Sequence, residues 1–174
     1  SLMQADMDRI ERIVEDILYV SRAPRPKLAP RSLYQVMDDE LAHWKLNVAD
    51  KNISLEIDLE KDLPPIMIDA DQIGRSISNL IGNAIDAVGP GGRLTINLQS
   101  LATAQIITIT DNGPGITEED QRKIFEPFFT TKSRGTGLGL AIVKQIIDYH
   151  KGDITVWSEA GVGTKFTVSL PLTE

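Results

Sequence analysis

The sequence predicts an α+β fold, a two-layer α/β sandwich whose mixed, mainly antiparallel sheet is covered by helices and preceded by an N-terminal bundle helix. Alternating apolar and polar residues occur in neighbouring pairs of segments, 93–99 with 105–110 and 153–158 with 164–170, which is typical of β-hairpins. Between such segments lies an amphipathic helical pattern over 69–88. A chain of 174 residues that is 41% hydrophobic can bury one such core. We therefore expect one main domain with at most a small appendage.

The first residues predict a helix that packs in a bundle. Over residues 3–21, apolar or small residues recur at alternating steps of four and three, the spacing of a coiled-coil seam. These residues are Met3, Met7, Ile10, Val14, Ile17 and Ser21. A helix folded back on its own domain is the alternative for so short a segment. Three prolines between Pro24 and Pro30 then favour an extended connector. The predicted division is a bundle helix at 1–22, a proline-rich hinge at 23–31 and a main domain at 32–174.

The next elements follow from caps and periodicity. Ser32 is placed to cap a helix that ends near Asp50. Residues 53–59 alternate as a half-buried strand, and 66–68 form a second, short strand. The helix over 69–88 carries isoleucines and leucines in one sector and polar residues on the opposite side, and glycines after Val88 end it. The last helix is expected after Gly137.

Composition excludes several classes of protein. The chain has no cysteine, which excludes disulfides and thiolate metal sites. Its net charge of −7 argues against a nucleic-acid surface, which would need a basic stripe. No apolar run approaches the ~18 residues that a membrane helix requires. We expect this piece to be cytoplasmic and to make no membrane contact, although a parent protein could carry membrane helices elsewhere.

Four short motifs follow one another in a fixed order, at 79–86, 111–116, 125–129 and 135–140. In this order they resemble the N box, first glycine box, F box and second glycine box of the ATP-binding domain of sensor histidine kinases. Those kinases share a superfamily with the gyrase, mismatch-repair and heat-shock chaperone ATPases. The resemblance covers roughly 32–172 and implies a Bergerat-type ATP-binding fold with ATP and Mg²⁺ as ligands. The residues within the motifs, Asn-Ala-Ile-Asp-Ala and Glu-Pro-Phe-Phe-Thr-Thr-Lys, look most similar to those of the nitrogen-regulation type of kinase.

Two asparagines are the candidates for the metal. Asn79 and Asn83 are one helical turn apart, so they project from the same side of the helix. An amide oxygen suits Mg²⁺, and the resemblance assigns the metal to Asn83 and a neighbouring position to Asn79. Without the motifs that follow, two asparagines on a solvent-exposed helix face would be the favoured interpretation of this pair. In the related ATPases a glutamate that activates water stands at the position of Asn79, and an amide cannot take that proton. Asn79 therefore favours a kinase over an ATPase.

The adenine end is predicted around Asp111. An ionised carboxylate accepts hydrogen bonds only, so it suits the amino group of adenine and not the carbonyl of guanine. Gly113 and Gly115 allow the backbone to bend close beneath the base. Thr164 resembles the family position that supports this end. An isolated Asp-Asn-Gly sequence would be read as a plain turn.

The phosphates are expected at the glycines of 135–139, because free N–H groups at a helix start bind anions. Residues 125–134 resemble a mobile lid, whose Lys132 and Arg134 are the nearest predicted cations. Many histidine kinases have a Lys or Arg at the position of Asp86 that reaches the phosphates. Its absence here makes Lys132 the main candidate for that role. Asn79, Asn83 and Lys132 are the candidate catalytic residues. The implied ATP-binding residues are Asn79, Asn83, Asp111, Gly113, Gly115, Ile116, Phe125, Lys132, Gly135, Thr136, Gly137, Leu138, Gly139, Leu140 and Thr164.

Neither His43 nor His150 lies in the phospho-acceptor pattern of the family, so both are expected to be structural. The resemblance therefore implies transfer of the ATP γ-phosphoryl to a histidine on a hairpin outside this chain, and from there to a response regulator. It also implies a homodimer of the full-length protein. An ATPase or chaperone-like switch, or a nucleotide-dependent interaction module that moves no phosphate, are the alternatives from the same superfamily.

Overall fold

The computed structural model describes residues 2–22, 24–133 and 135–172 and confirms the predicted fold class. The helices are α1 (Leu2–Arg22), α2 (Leu33–Asp50), α3 (Ala70–Val88), α4 (Glu118–Gln121) and α5 (Gly139–Tyr149). The strands are β1 (Ala29–Arg31), β2 (Ser54–Leu59), β3 (Ile66–Ile68), β4 (Arg93–Ser100), β5 (Ala104–Asp111), β6 (Asp153–Glu159) and β7 (Gly163–Pro171). Across the described part of the chain, no helix combines the length and the apolar character that crossing a bilayer demands.

The main sheet has the order β2-β4-β5-β7-β6 among the described residues. Strands β4, β5, β7 and β6 pair antiparallel, whereas β2 runs parallel to β4. The face that carries Leu94, Ile107 and Phe166 is buried beneath α2, α3 and α5. The opposite face is polar, with Asn97 donating to Thr108 across neighbouring strands at 3.3 Å. One buried apolar face and one solvent-exposed polar face are typical of such a sheet, and the hydrophobic core lies on the buried face.

Part of the predicted hinge is a strand. Residues 24–28 form neither helix nor strand, but β1 pairs antiparallel with β3, with Ala29 opposite Ile68. The N–H of Lys27 also donates to the Asp69 carboxylate at 2.8 Å. The proline pattern did not predict this pairing, because it depends on a partner almost forty residues away. The connector is therefore attached to the domain that follows it.

Helix α3 is the central helix of the domain. Asp69 caps it by accepting from the N–H of Gln72 at 3.1 Å. The sequence places Gln72 and Ser76 on the polar side, yet both are buried, and Gln72 donates to the Pro24 carbonyl at 3.0 Å. Only the later part of the polar side, from Asn79 onward, is turned toward the predicted site.

Helix α1 packs at its end and exposes its seam. The Arg75 guanidinium of α3 contacts Asp16 at 2.6 Å and lies 4.4 Å from the centre of the Tyr19 ring. The seam residues Ile10 and Val14 are 60% and 49% exposed. Met3 falls among the side chains outside the description. An apolar stripe of this kind on a helix surface is the pattern of a bundle contact.

Candidate functional site

Asp111 lies at the end of β5 and is the most buried charged group of the predicted site, with 6% of its surface exposed. One carboxylate oxygen accepts from the N–H of Gly113 at 2.9 Å, and the N–H of Thr164 on β7 also donates to the carboxylate. Burial raises the pKa of Asp111, while these two N–H groups and the charge of Lys132 act in the opposite direction. The carboxylate is thus held in place with acceptor capacity left over.

A serine that the motifs do not include holds this end together. The Ser158 hydroxyl accepts from the N–H of Ile116 at 2.7 Å and donates to the Gly163 carbonyl at 2.8 Å. It also lies 2.8 Å from the Thr164 hydroxyl. Ser158 therefore joins the first glycine box to the last turn. Its polar side chain on the inner face of β6 was the one sequence signal that could have identified it.

The glycines of the first box allow close backbone approaches around Asp111. A Cβ on Gly113 would lie 2.9 Å from the Asp111 carboxylate, and one on Gly115 would overlap the carbonyl of Glu159. Gly115 also has a φ of 77°, which disfavours any side chain. Both glycines therefore permit close backbone packing next to the accepting carboxylate.

The lid begins at a strained turn. The N–H of Phe128 donates to the Gly137 carbonyl at 2.9 Å, and their φ angles are 67° and 71°. Phe125 packs edge-on against Phe166, with ring centres 6.4 Å apart, but Phe128 is 67% exposed. Phe125 therefore anchors this segment to the core, whereas Phe128 does not. A positive φ at a phenylalanine is rare and is tolerated where surrounding contacts enforce it.

The start of α5 meets the polar side of α3. Leu138 precedes this helix and, among the described residues, no side chain caps its N–H groups. The Thr136 hydroxyl accepts from the N–H of Leu138 at 3.2 Å, and the Asn79 amide lies 3.5 Å from the Gly139 carbonyl. Gly135 is exposed, and Leu140, in the first turn of α5, is half-buried. Uncapped N–H groups at a helix start attract anions.

The lid returns over α3 through Lys132. Its ammonium lies 3.3 Å from the Asn83 amide oxygen and 3.2 Å from the Asp86 carboxylate. Asp86 also lies 3.7 Å from the Lys51 ammonium. The amide oxygen of Asn83 and the Asp86 carboxylate are hard oxygen donors that would suit Mg²⁺, and in this structure the Lys132 ammonium faces both of them. Arg134, the other predicted cation, lies outside the described residues.

The two histidines differ in surroundings. His150 is 4% exposed, and its Nδ1 lies 2.7 Å from the Ile146 carbonyl while its Nε2 accepts from the N–H of Asp69 at 3.0 Å. These contacts fix the end of α5 against the start of α3. His43 is exposed on α2. Both observations agree with the predicted structural roles.

A two-layer sandwich with a buried accepting carboxylate near one group of glycines and a helix start without a side-chain cap near another has the features expected of a nucleotide-binding domain. Residues 68–174 match the family described as histidine kinase-, DNA gyrase B-, and HSP90-like ATPase. The chain belongs to this family, and within it to the ATP-binding domains of sensor histidine kinases.

Curated relatives and solved structures agree with this assignment. Sporulation kinase E of Bacillus subtilis is 32% identical over 99% of this chain and 23% of its own length. AtoS of Escherichia coli is 35% identical over 99% of this chain and 28% of its own length. The catalytic domain of histidine kinase ThkA superposes with a TM-score of 0.77 at 31% identity, covering 83% of this chain and 95% of that one. The chain spans about a quarter of the curated relatives' length, and the nitrogen-regulation type stays a prediction.

Proposed function

We propose that this chain is the catalytic part of a sensor histidine kinase, which transfers the γ-phosphoryl of ATP to a histidine supplied by a segment outside the chain. In this proposal residues 1–22 belong to the dimerisation hairpin, 23–31 to the connector and 32–174 to the catalytic domain. The domain would act in the cytoplasm, where ATP is available.

Adenine would bind at Asp111, whose carboxylate accepts from the exocyclic amino group while Thr164 supports it from β7. Gly113 and Gly115, where no side chain fits, would let the backbone lie close beneath the base. Ile116 and Phe125 border the base in this arrangement. The discrimination against guanine follows from an acceptor that would face another acceptor.

The triphosphate would bind at residues 135–140, where the N–H groups at the start of α5 and the Lys132 ammonium supply positive charge. Asn83 would hold Mg²⁺ through its amide oxygen. The metal supplies neutralisation of charge on the phosphate oxygens. The chain's own contribution is therefore to orient the terminal phosphate and shield it.

The observation that carries the choice of kinase is the amide at Asn79, which lies beside the Gly139 carbonyl at the phosphate end. An amide cannot take a proton from water, so the group at this position cannot activate hydrolysis. A phosphate held in this way waits for another nucleophile, and an imidazole from a bundle hairpin is the one we propose.

The exposed seam of α1 supports the proposed partners. Ile10, Val14 and Ile17 are at least 44% exposed, and burying them against another hairpin helix and a second copy of the chain would complete a bundle. The histidine kinase ThkA has been solved in complex with the response regulator TrrA, at 29% identity to this chain and a TM-score of 0.84 over 99% of this chain and 50% of that one. We propose a response regulator as the next acceptor here too.

The test is transfer of label in trans. The chain is mixed with Mg²⁺, γ-labelled ATP and a separate hairpin that carries an acceptor histidine, with a His→Gln hairpin as control. The expected result is an acid-labile label on the histidine hairpin alone. Steady phosphate release without label would show an ATPase instead, and nucleotide binding without either would show an interaction module; both would overturn the proposal.

A further inference from the structure

The Lys132 ammonium is bound by two oxygens from successive turns of α3. Asn83 and Asp86 are three residues apart, so their side chains project from the same part of the helix surface. The ammonium lies within 3.3 Å of both. The family resemblance gave Asp86 no role beyond a missing cation, yet the structure places its carboxylate beside the candidate metal residue.

This contact is exchangeable. The Lys132 and Asp86 side chains are 42% and 58% exposed, and exposed ion pairs of this kind contribute little to stability because water screens them. An amide oxygen and a carboxylate are also the hard donors that Mg²⁺ takes from proteins, usually together with water and phosphate oxygens. The same two oxygens therefore suit either cation.

We propose that the Lys132 ammonium and Mg²⁺ compete for the oxygens of Asn83 and Asp86, and that Asp86 is a positioning residue which makes nucleotide binding depend on the metal. This inference rests on the proposed function, because it concerns the same phosphate site. When the metal takes these oxygens, directly or through water, the lysine is released toward the phosphates. When no metal is bound, Asp86 keeps Lys132 in the ion pair and adds a negative charge close to the phosphates of ATP.

Asp86 therefore has opposite effects on ATP binding with and without metal. In the presence of EDTA, Asp86→Asn should bind ATP about threefold more tightly, the scale expected from losing one exposed ion pair. In Mg²⁺ it should bind about threefold more weakly, since a carboxylate near the metal is lost. The ratio of the dissociation constants in EDTA and in Mg²⁺ should thus fall about tenfold relative to the unsubstituted chain.

The experiment is calorimetric titration with ATP in both buffers for the unsubstituted chain, Asp86→Asn and Asp148→Asn. Asp148 is a matched control, because it is 53% exposed and pairs with Lys144 at 2.7 Å on another helix. Equal ratios for the two variants would show that Asp86 contributes only net charge and would overturn the inference. An unsubstituted chain that binds no ATP in either buffer would instead overturn the proposed function.

Lys132→Gln separates competition from simple repulsion. In this background the effect of Asp86→Asn in EDTA should fall well below threefold, because the Lys132 ammonium is gone and only the longer Lys51 contact at 3.7 Å and direct repulsion remain, while its effect in Mg²⁺ should persist. Persistence of the full effect in EDTA would mean that Asp86 repels ATP without involving the lysine. That result would also overturn the inference.

Discussion

Asp111→Asn tests the adenine end with almost no change in shape. The carboxylate accepts from the N–H groups of Gly113 and Thr164, and we propose that it accepts from adenine as well. An asparagine has only one accepting oxygen. If that oxygen accepts from the N–H groups of Gly113 and Thr164, the side-chain NH₂ faces the adenine amino group, so two donors meet. In the opposite rotamer the side-chain NH₂ faces the backbone N–H groups, and two donors meet there instead. A lost hydrogen bond to a charged acceptor costs about 2 to 3 kcal/mol, so the dissociation constant for ATP should rise about 30- to 150-fold.

The assay is calorimetric titration with ATP and GTP. The NH₂ of the new asparagine can donate to the guanine carbonyl. We therefore expect the affinity for ATP to fall and the preference for ATP over GTP to decrease as well. Asp148→Asn, a remote carboxylate of the same charge, should change neither value. An ATP affinity within threefold of the unsubstituted chain, or equal binding of ATP and GTP by the unsubstituted chain, would refute this account of Asp111.

Two further predictions concern stability. Burial raises the pKa of Asp111 above its ordinary 3.8, so its contribution to stability is present below 3.8 and is lost as pH rises through the raised pKa. Asp111→Asn should therefore have a higher melting temperature than the unsubstituted chain at pH 7, and the difference should shrink toward pH 4. A difference independent of pH would contradict the explanation by the raised pKa. Gly137→Ala should lower the free energy of unfolding by at least ~2 kcal/mol in urea titration, because the new Cβ would overlap the Phe128 backbone at a φ of 71°. Gly161→Ala, with a φ of 81° and no atom within 4 Å of its Cβ, should cost only about 1 kcal/mol, and equal losses at both glycines would mean that the contact with Phe128 does not matter.

Much of the fold could be predicted because its elements are amphipathic. Helix α3 shows a clear apolar sector, and the β4 and β5 strands alternate in a way that only a half-buried hairpin explains. The parallel pairing of β2 with β4 and the pairing of β1 with β3 could not be derived, since alternation shows which face is buried and not which strand lies alongside. The burial of Gln72 was missed for a related reason, because its partner, the Pro24 carbonyl, comes from the connector.

The site was predictable where a motif fixes backbone shape and unpredictable where side chains meet across elements. Gly113, Gly115 and Gly137 occur where the backbone makes close approaches, and such demands appear in the sequence as glycine. In the sequence, Ser158 cannot be told from any other serine in a strand, although in the structure its hydroxyl contacts three different backbone or side-chain groups. The position of Asp86 opposite Lys132 likewise depends on how the lid folds over α3. The roles of these residues toward ATP stay predictions until they are tested.

The two ends of the site use different physics, and this explains how a chain of net charge −7 could bind a polyanion. At Asp111 the charge is buried and fixed by N–H donors, so in our proposal selectivity for the base would arise from geometry that salt screens little. At Lys132 the charges are exposed, so affinity for the phosphates would depend on which cation faces Asn83 and Asp86. A permanently basic phosphate site would hold any polyanion, whereas a lysine countered by Asp86 would bind strongly only when metal and nucleotide are both present. The acidic residue on α3 would then be a source of metal dependence at the site.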